Sequence, residues 1–200
     1  MAEIKLFGKW DSNGIQIDDA GLKNYLNISP KIIPKSSGRL SSQQFYKSKM
    51  HIVERLMNKL MVSGHKSRKH VITSGRNVGK LIKEFKTVKK ALEKIEQITR
   101  KNPVEVLVKA IENSALREET AAYQVGGIIV RKAVITSPQR RVDISIKNIA
   151  QASYRKSFGK KENVVDALVG EIVGAYNNDQ NKSEAVKERV RVEKEAEGAR

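Results

Sequence analysis

Residues 116–137 read LREETAAYQVGGIIVRKAVITS, and their pattern sets this chain apart from a purely helical protein. Two runs that contain β-branched residues flank the pair Gly126-Gly127, a pattern typical of antiparallel strands joined by a tight turn. A lone two-stranded ribbon has little stability of its own, so we expect it to lean on other elements and to project from them. Packing flat on the rest of the protein is the alternative. The prediction is one β-ribbon at about 116–137.

Helical periodicity precedes the ribbon in three places. Apolar residues recur at helical spacing over 52–61, 78–95 and 104–111. The first of these helices is expected to turn Glu54, Arg55 and Lys59 outward, and the second to have one apolar and one strongly basic side. The third has a clear start signal, since Asn102 is a good cap and Pro103 suits the first helical position.

Helical periodicity returns after Pro138. Apolar residues mark a fourth helix around 146–154 and a fifth over 164–176. The fifth lies in the one net acidic segment, 163–180, and we expect it to be the central core helix. The last twenty residues alternate basic and acidic side chains, as in a charged terminal helix. The predicted fold class is mainly α, a bundle of about six helices with one protruding β-hairpin and an extended basic N-terminal arm.

The first fifty residues are the predicted arm. They contain Pro30 and Pro34 and show only short apolar groups, such as Ile15/Ile17 and Ile32/Ile33, without sustained helical periodicity. These groups could pin the arm to a core or to a partner, and the alternative is a flexible tail. The expected organisation is an arm over 1–50, a helical core over 51–180 that carries the ribbon, and a charged C-terminal helix over 181–200.

The distribution of charge points to nucleic acid as the partner. The chain has 39 Lys and Arg against 22 Asp and Glu, a formal net charge of +17, and residues 51–103 alone hold 14 basic and 4 acidic groups. A localised basic surface of this kind is what a phosphate backbone selects. The sequence has no apolar stretch long enough to span a membrane and no secretory signal, which predicts a cytoplasmic protein.

Enzyme and metal chemistry are not expected. The stretch 75–80, GRNVGK, has three residues between its glycines and lacks the Ser or Thr that a phosphate-binding P-loop needs after its lysine. His65 and His70 lie in a basic loop without an acid to orient either ring, and the chain has no cysteine. Glu118 and Glu119 are adjacent in a strand and point to opposite faces. We predict no catalytic residues, no metal and no cofactor.

Recognition of RNA by shape and phosphate is the leading hypothesis, because ten aromatic residues without a stacking motif argue against a base-stacking platform. The basic groups in question lie in the helix and loop over 66–101, in the pair Arg131/Lys132 on the ribbon, and at Arg140/Arg141. One alternative is a sequence-specific DNA-binding regulator, since a helix pair with a basic second helix resembles a helix-turn-helix. Another is an RNA chaperone or ribosome assembly factor.

Six blocks of sequence carry a resemblance to a known family. They are KLFGKW at 5–10, HIVERLMNKL at 51–60, NPVEVLVKAIEN at 102–113, REE at 117–119, GG at 126–127 and SPQRR at 137–141. The chain resembles the universal small-subunit ribosomal protein seven family, called protein five in eukaryotic naming. Its first block is most similar to the archaeal and eukaryotic cytoplasmic branch.

The resemblance implies a function and a set of partners. Members are structural constituents of the small ribosomal subunit that bind the 3′ major domain of its rRNA and nucleate assembly of the head. Their ribbon reaches toward the exit-site tRNA and the mRNA path and meets platform protein eleven. In this chain the first strand departs from the arginine-rich bacterial pattern, with alanine at both 121 and 122.

Candidate binding residues follow from the resemblance and from the charge pattern. By resemblance, the rRNA-binding residues are Arg39, Lys47, Lys49, Arg76, Lys80 and Lys83, with Arg117, Arg140 and Arg141 at the base of the ribbon. The basic loop adds Lys66, Arg68 and Lys69 on charge alone. The residues expected on the ribbon near tRNA or mRNA are Tyr123, Gln124, Gly126, Gly127, Arg131 and Lys132.

Overall fold

The computed structural model describes residues 4–36, 42–66, 69–70 and 76–200, with the backbone alone at 65–66 and 69–70. In chain order, the helices and strands of these residues are α1 (Ile52–Leu60), β1 (His65–Lys66), β2 (Lys69–His70), α2 (Leu81–Thr99), α3 (Pro103–Ser114), β3 (Glu118–Val125), β4 (Ile128–Ile135), α4 (Pro138–Ser157), α5 (Val164–Tyr176) and α6 (Glu184–Glu197). The predicted mainly α bundle with one ribbon is confirmed.

Helix α3 begins where its sequence signal placed it. The Asn102 side chain accepts a hydrogen bond from the Val104 N–H at 3.0 Å, and Pro103 occupies the first turn. An Asn cap satisfies one of the backbone donors that a helix start leaves free. The helix then buries Leu107 and Ile111 in the core.

Helix α5 is the centre of the bundle, as predicted. It contacts α2, α3, α4 and α6, and Val165, Leu168 and Ile172 are buried along it. Gly174 allows a close approach at its end, because a Cβ there would lie 3.1 Å from the backbone of Lys182. None of the helices in the described residues is long and apolar enough to span a bilayer.

The ribbon leans on the bundle at its base and projects at its tip. Glu118 pairs with Ile135 at the base and Val125 with Ile128 at the turn, where Gly126 and Gly127 have φ angles of 55° and 85°. Two consecutive positive φ angles define a type I′ turn, which needs residues such as glycine. The base packs against α6, while the residues around the turn are exposed. The expectation that the ribbon projects is confirmed.

The described part of the arm is packed against the helices rather than flexible. Leu6, Trp10, Leu22 and Leu26 are buried in the main core, and a single 3-10 turn spans Tyr46–Lys49. The Trp10 Nε1 donates a hydrogen bond to Glu96 of α2 at 2.9 Å. Of the two alternatives for the arm, the structure supports the pinned one.

The apolar groups that pin the arm are only partly those we expected. Ile15 and Ile17 are half-buried and pack on the core, as anticipated. Ile32 and Ile33 are each 58% exposed, so this pair does not pin the arm to the core, and a role toward a partner stays a prediction. The larger side chains of Leu6 and Trp10 bury the arm instead.

Helix α1 differs from its prediction on the outer face. Glu54 and Arg55 were expected to face solvent, yet both are buried. The arm covers them: Ser36 donates from its N–H and its hydroxyl to Glu54 at 2.7 and 2.8 Å, and Arg55 donates to the Tyr25 carbonyl at 2.8 Å. Amphipathic spacing on one helix does not reveal cover supplied by a distant segment.

Helix α2 begins later than its apolar pattern suggested. Gly79 has a φ of 68°, which interrupts the helix, so Val78 lies outside it and is exposed. Ile82 was placed on the buried stripe but is 74% exposed, because it lies on the far side of the helix from Glu84 and Val88. The preceding basic segment, expected as a loop, forms the short antiparallel pair β1 and β2.

Candidate nucleic-acid interface

The basic side of α2 is the first candidate surface. It consists of six lysines, which we call the α2 lysine face: Lys80, Lys83, Lys86, Lys89, Lys90 and Lys94. Lys80, Lys86, Lys90 and Lys94 are exposed, and of these Lys94 forms an ion pair with Asp166. Lys83 is half-buried and donates to Asn77 at 2.7 Å. The face therefore presents several solvent-directed ammonium groups along one helix.

A polar cleft lies between the approach to α2 and the connection from α4 to α5. Its volume is about 400 Å³, and Arg76, Lys83 and Lys160 line it together with Asn163, the cap residue of α5. Asn163 makes no side-chain hydrogen bond to its own helix. Exposed N–H groups at a helix start favour an anion. The cleft combines that feature with three cations against one acid, Glu162, and suits a phosphate group.

A second basic surface lies where α1 packs against α4. We call it the α1/α4 cluster: Lys47, Arg55, Lys59 and Lys147 around Asp143. Asp143 pairs with Lys47 at 2.6 Å and with Arg55 at 3.1 Å. Lys59, Asp143 and Lys147 also line a cleft of about 550 Å³ at the base of the ribbon. Four cations thus converge on one carboxylate.

The charges in this cluster change the proton affinities of its members. Burial lowers the pKa of Lys59 below its ordinary value, and repulsion from Lys47 and Lys147 lowers it further, although Asp143 acts in the opposite direction. Burial opposes ionisation of Asp143, but hydrogen bonds and charges from Lys47 and Arg55 prevail and hold its pKa below the usual range. The cluster has more positive charge than its own acid neutralises.

The arginines at the base of the ribbon make contacts within the protein. Arg140 holds Glu119 through two hydrogen bonds of 2.7 and 2.8 Å, which raise the pKa of the guanidinium. Arg141 binds Asp19 at 2.6 Å; burial opposes ionisation of Asp19, yet the guanidinium prevails and lowers the pKa of that carboxyl. Arg117 is exposed. Both arginine pairs belong to the frame that positions the ribbon and the arm.

Each face of the ribbon presents one exposed cation. Strand register places Tyr123 opposite Val130 on one face, and Arg131 opposite Ala122 on the other. Lys132 shares the face of Tyr123, because residues alternate along a strand. Lys132 and Arg131 thus lie on opposite faces. The tip of the ribbon, next to the turn, is apolar, and Ile128 and Ile129 there are each about 70% exposed.

The remaining predicted residues are placed as far as the structure describes them. Lys49 is exposed, with its Nζ 5.2 Å from the centre of the Tyr46 ring. Lys66 and Lys69 lie in β1 and β2, where the backbone alone is described. Arg39 and Arg68 lie outside the described residues. Their roles stay predictions.

Sequence reasoning missed Lys59 and Lys147 as candidates. Each looked like a single solvated lysine on its own helix, and only the packing of α1 on α4 brings them to the same cleft. A weak signal was present, since Lys147 follows Asp143 by one helical turn and Lys59 follows Arg55 by the same interval. Nothing in one-dimensional spacing indicates that the two helices meet.

The stability of the protein is expected to depend on pH through a buried histidine at the start of α1. His51 caps α1 by accepting from the Val53 N–H at 3.2 Å, and its Nε2 is buried without a partner among the described residues. Burial, with repulsion from Lys31, lowers its pKa from 6.5 to about 4. As the pH falls, His51 takes up a proton at a higher pH in the unfolded chain than in the folded protein. Acidification from pH 6.5 to 4 is therefore expected to lower the free energy of unfolding by about 3 kcal/mol.

Urea unfolding at pH 7, 5 and 4 tests this expectation. The control is His51→Asn, since asparagine retains the cap but has no proton to take up in this range. The stability difference between the two proteins should change with pH below 6.5 and stay constant above it. Parallel pH profiles for both proteins would contradict the role given to His51.

Comparison with known proteins identifies the family. A family model described as Ribosomal protein S7p/S5e matches residues 23–200. The chain is 44% identical over 198 residues to small ribosomal subunit protein uS7 of Nanoarchaeum equitans, covering 99% of this chain and 100% of the relative. For uS7 of Archaeoglobus fulgidus the identity is 43%, covering 99% and 96%, and for uS7 of Methanococcus maripaludis it is 42%, covering 99% and 100%. The resemblance drawn from the sequence blocks is thereby confirmed, and the chain belongs to the ribosomal protein S7p/S5e family.

Proposed function

We propose that this chain binds the 3′ major domain of small-subunit rRNA and helps the head of the subunit to assemble. The family is structural and not enzymatic, and the chain is accordingly a structural protein of the small ribosomal subunit, in the cytoplasm. What remains to be assigned is which RNA it binds and with which surfaces.

The α1/α4 cluster is the observation that carries the proposal. Lys47, Lys59 and Lys147 gather around a single acid, and burial, with repulsion from the two neighbouring lysines, lowers the pKa of Lys59. A bound phosphate relieves such repulsion and releases condensed counterions from the RNA. A surface that holds several cations at close range is suited to a place where RNA strands converge.

The start of the α2 lysine face, at Lys80 and Lys83, and the cleft beside Arg76 provide a second contact region. We propose that both regions bind rRNA, so that the protein bridges two RNA segments. The proposed contact residues are Lys47, Lys49, Lys59, Arg76, Lys80, Lys83, Lys147 and Lys160, with Arg117, Arg140 and Arg141 at the ribbon base. Arg39, Lys66, Arg68 and Lys69 complete the set as predictions from sequence.

We propose that the ribbon lies near the exit-site tRNA and the mRNA path. Arg131 and Lys132 support this, because the two exposed cations lie on opposite faces and can meet RNA on either side. The apolar tip around Ile128 and Ile129 supports a protein neighbour there, for which platform protein eleven is the proposal. Tyr123 and Gln124 lie on β3 between the level of the two cations and the turn.

Competition binding tests the rRNA proposal. The purified chain is titrated with a 3′ major domain fragment of small-subunit rRNA, an unrelated structured RNA and duplex DNA over a series of salt concentrations. We expect a preference for the rRNA fragment of about a hundredfold, or roughly 2.7 kcal/mol, at physiological salt. Equal affinity for all three would favour a chaperone-like binder, and a preference for duplex DNA would favour a DNA-binding regulator.

Removing two charges from the α1/α4 cluster is expected to weaken RNA binding. In Lys59→Gln/Lys147→Gln, the slope of log affinity against log salt should fall by about 2, since each lost phosphate contact lowers it by about 1. The matched control, Lys187→Gln/Lys194→Gln, removes two exposed charges from α6 and should leave the slope within error of the parent. Equal slopes in both variants would exclude the cluster from the interface.

A further inference from the structure

Four exposed isoleucines gather on the side of the protein where the arm meets α2. Ile4 is 49% exposed, Ile32 and Ile33 are each 58% exposed, and Ile82 is 74% exposed. We call them the isoleucine patch. Single exposed apolar residues are ordinary, but several large ones close together mark an interaction surface.

The patch is held together by a pair of aromatic rings. Phe7 and Phe85 meet edge to face with their centroids 4.9 Å apart. The Phe7 N–H donates to the Ile32 carbonyl at 2.8 Å, which places Ile32 and Ile33 beside the ring pair. Ile82 precedes Phe85 by almost one helical turn and so lies on the same side of α2. Residues from the arm and from α2 therefore form one surface.

The arm is fixed to α2 next to the patch. Lys9 pairs with Glu93 at 2.6 Å, and Trp10 donates to Glu96 at 2.9 Å. The surface is therefore preorganised, and a ligand that binds it does not have to order the arm first.

The rim of the patch is positively charged. Lys31 and Lys35 flank Ile32 and Ile33 in the chain, and Lys86 follows Ile82 by one helical turn. Of the acids on α2, Glu84 is buried on the far side of the helix from Ile82, and Glu93 and Glu96 are already bound by the arm. An occupant must therefore match an aliphatic centre and a basic rim at once.

RNA matches the rim but not the centre. Phosphates and base edges lose hydrogen bonds to water on an aliphatic surface and recover none there. A protein segment with aliphatic side chains between carboxylates matches both parts, since it removes apolar area from water and neutralises the lysines. We propose that the isoleucine patch docks such an acidic, aliphatic segment of another protein of the small subunit. The proposal rests on the chain's place in the subunit and not on the RNA that it binds.

Photo-crosslinking from Ile82 tests the proposal in assembled particles. Ile82 is replaced by p-benzoylphenylalanine in the full chain, small subunits containing it are purified and irradiated, and crosslinked peptides are identified by mass spectrometry. We expect crosslinks to one subunit protein, at a segment with at least two aliphatic residues flanked by Asp or Glu. The same photoreactive residue at Ile98, which is also exposed on α2 but lies more than four helical turns from Ile82, should not reach that segment. Crosslinks to rRNA alone, to a second copy of this chain, or to nothing would overturn the proposal.

A pair of charge variants provides a second readout. Ile32→Glu/Ile82→Glu adds charge of the wrong sign to the patch, because it repels the carboxylates of the docked segment, and should lower the occupancy of the crosslinked protein in purified subunits at least tenfold. Ile98→Glu is the control and should leave that occupancy unchanged. Binding of the double variant to the rRNA fragment should equal that of the parent. If the parent chain shows no preference for the rRNA fragment, the proposed function is overturned, whereas the crosslinking result still stands. Unchanged occupancy in the double variant would overturn the docking proposal.

Discussion

Asp143→Ala is expected to lower the free energy of unfolding by about 4 kcal/mol. Asp143 is the counter-charge of Arg55, whose side chain is 1% exposed, and it also pairs with Lys47. Breaking a buried ion pair by removing one partner leaves an uncompensated charge in the interior, which typically costs about 3 to 5 kcal/mol. Urea unfolding of the parent and the variant measures the difference.

The matched control for this variant is Asp166→Ala. Asp166 pairs with Lys94 where both side chains are about half exposed, so the loss should stay below about 1 kcal/mol. A loss of the same size in both variants would show that the burial of Arg55 does not determine the cost. Arg55→Met/Asp143→Leu should recover much of the lost stability, because an apolar pair of similar volume removes the unpaired charge.

Glu171→Ala is expected to destabilise the protein by a similar amount, about 4 kcal/mol. Glu171 is fully buried on α5 and accepts from the Ser183 hydroxyl at 2.7 Å, from the Ala185 N–H at 2.9 Å and from Lys156 at 2.7 Å. It thereby accepts hydrogen bonds from two donors at the start of α6 and neutralises Lys156 of α4. Its removal leaves all three donors without their acceptor.

Two measurements separate this role from a general loss of packing. Urea unfolding gives the total loss, and hydrogen exchange should show reduced protection at the first turns of α6 before that of α3. Glu195→Ala, which removes an exposed partner of Arg191, serves as the control and should cost less than about 1 kcal/mol. Protection that falls equally in α3 and α6 would argue against a specific anchor at Glu171.

The helices and the ribbon could be predicted because their signals are local. Apolar spacing, the Asn102-Pro103 start and the Gly126-Gly127 turn each act within a few residues, and nothing in the fold opposes them. Helix α5 was recognisable as the core for the same reason, since it is apolar over most of its surface. These features follow from the sequence with little help from tertiary structure.

The candidate interface could be predicted in composition but not in arrangement. The basic side of α2 is visible in the sequence, whereas the α1/α4 cluster depends on Lys59 and Lys147 meeting across two helices. The burial of Glu54 and Arg55 likewise depends on arm residues that lie 18 and 30 positions away in the chain. Convergence of this kind depends on how the elements pack, and the spacing of residues along a single helix does not indicate it.

The attachment of the arm also bears on how the protein forms during its own synthesis. Asp19 meets Arg141 across 122 residues, and Trp10 meets Glu96 across 86. At about 5 to 20 residues per second, the ribosome takes roughly 6 to 24 seconds to add the residues between Asp19 and its partner. Until α2 and α3 have been made, Leu6, Trp10 and Leu22 have no core to enter. The arm therefore reaches its native position well after it is synthesised, and its apolar side chains need protection from aggregation during that time.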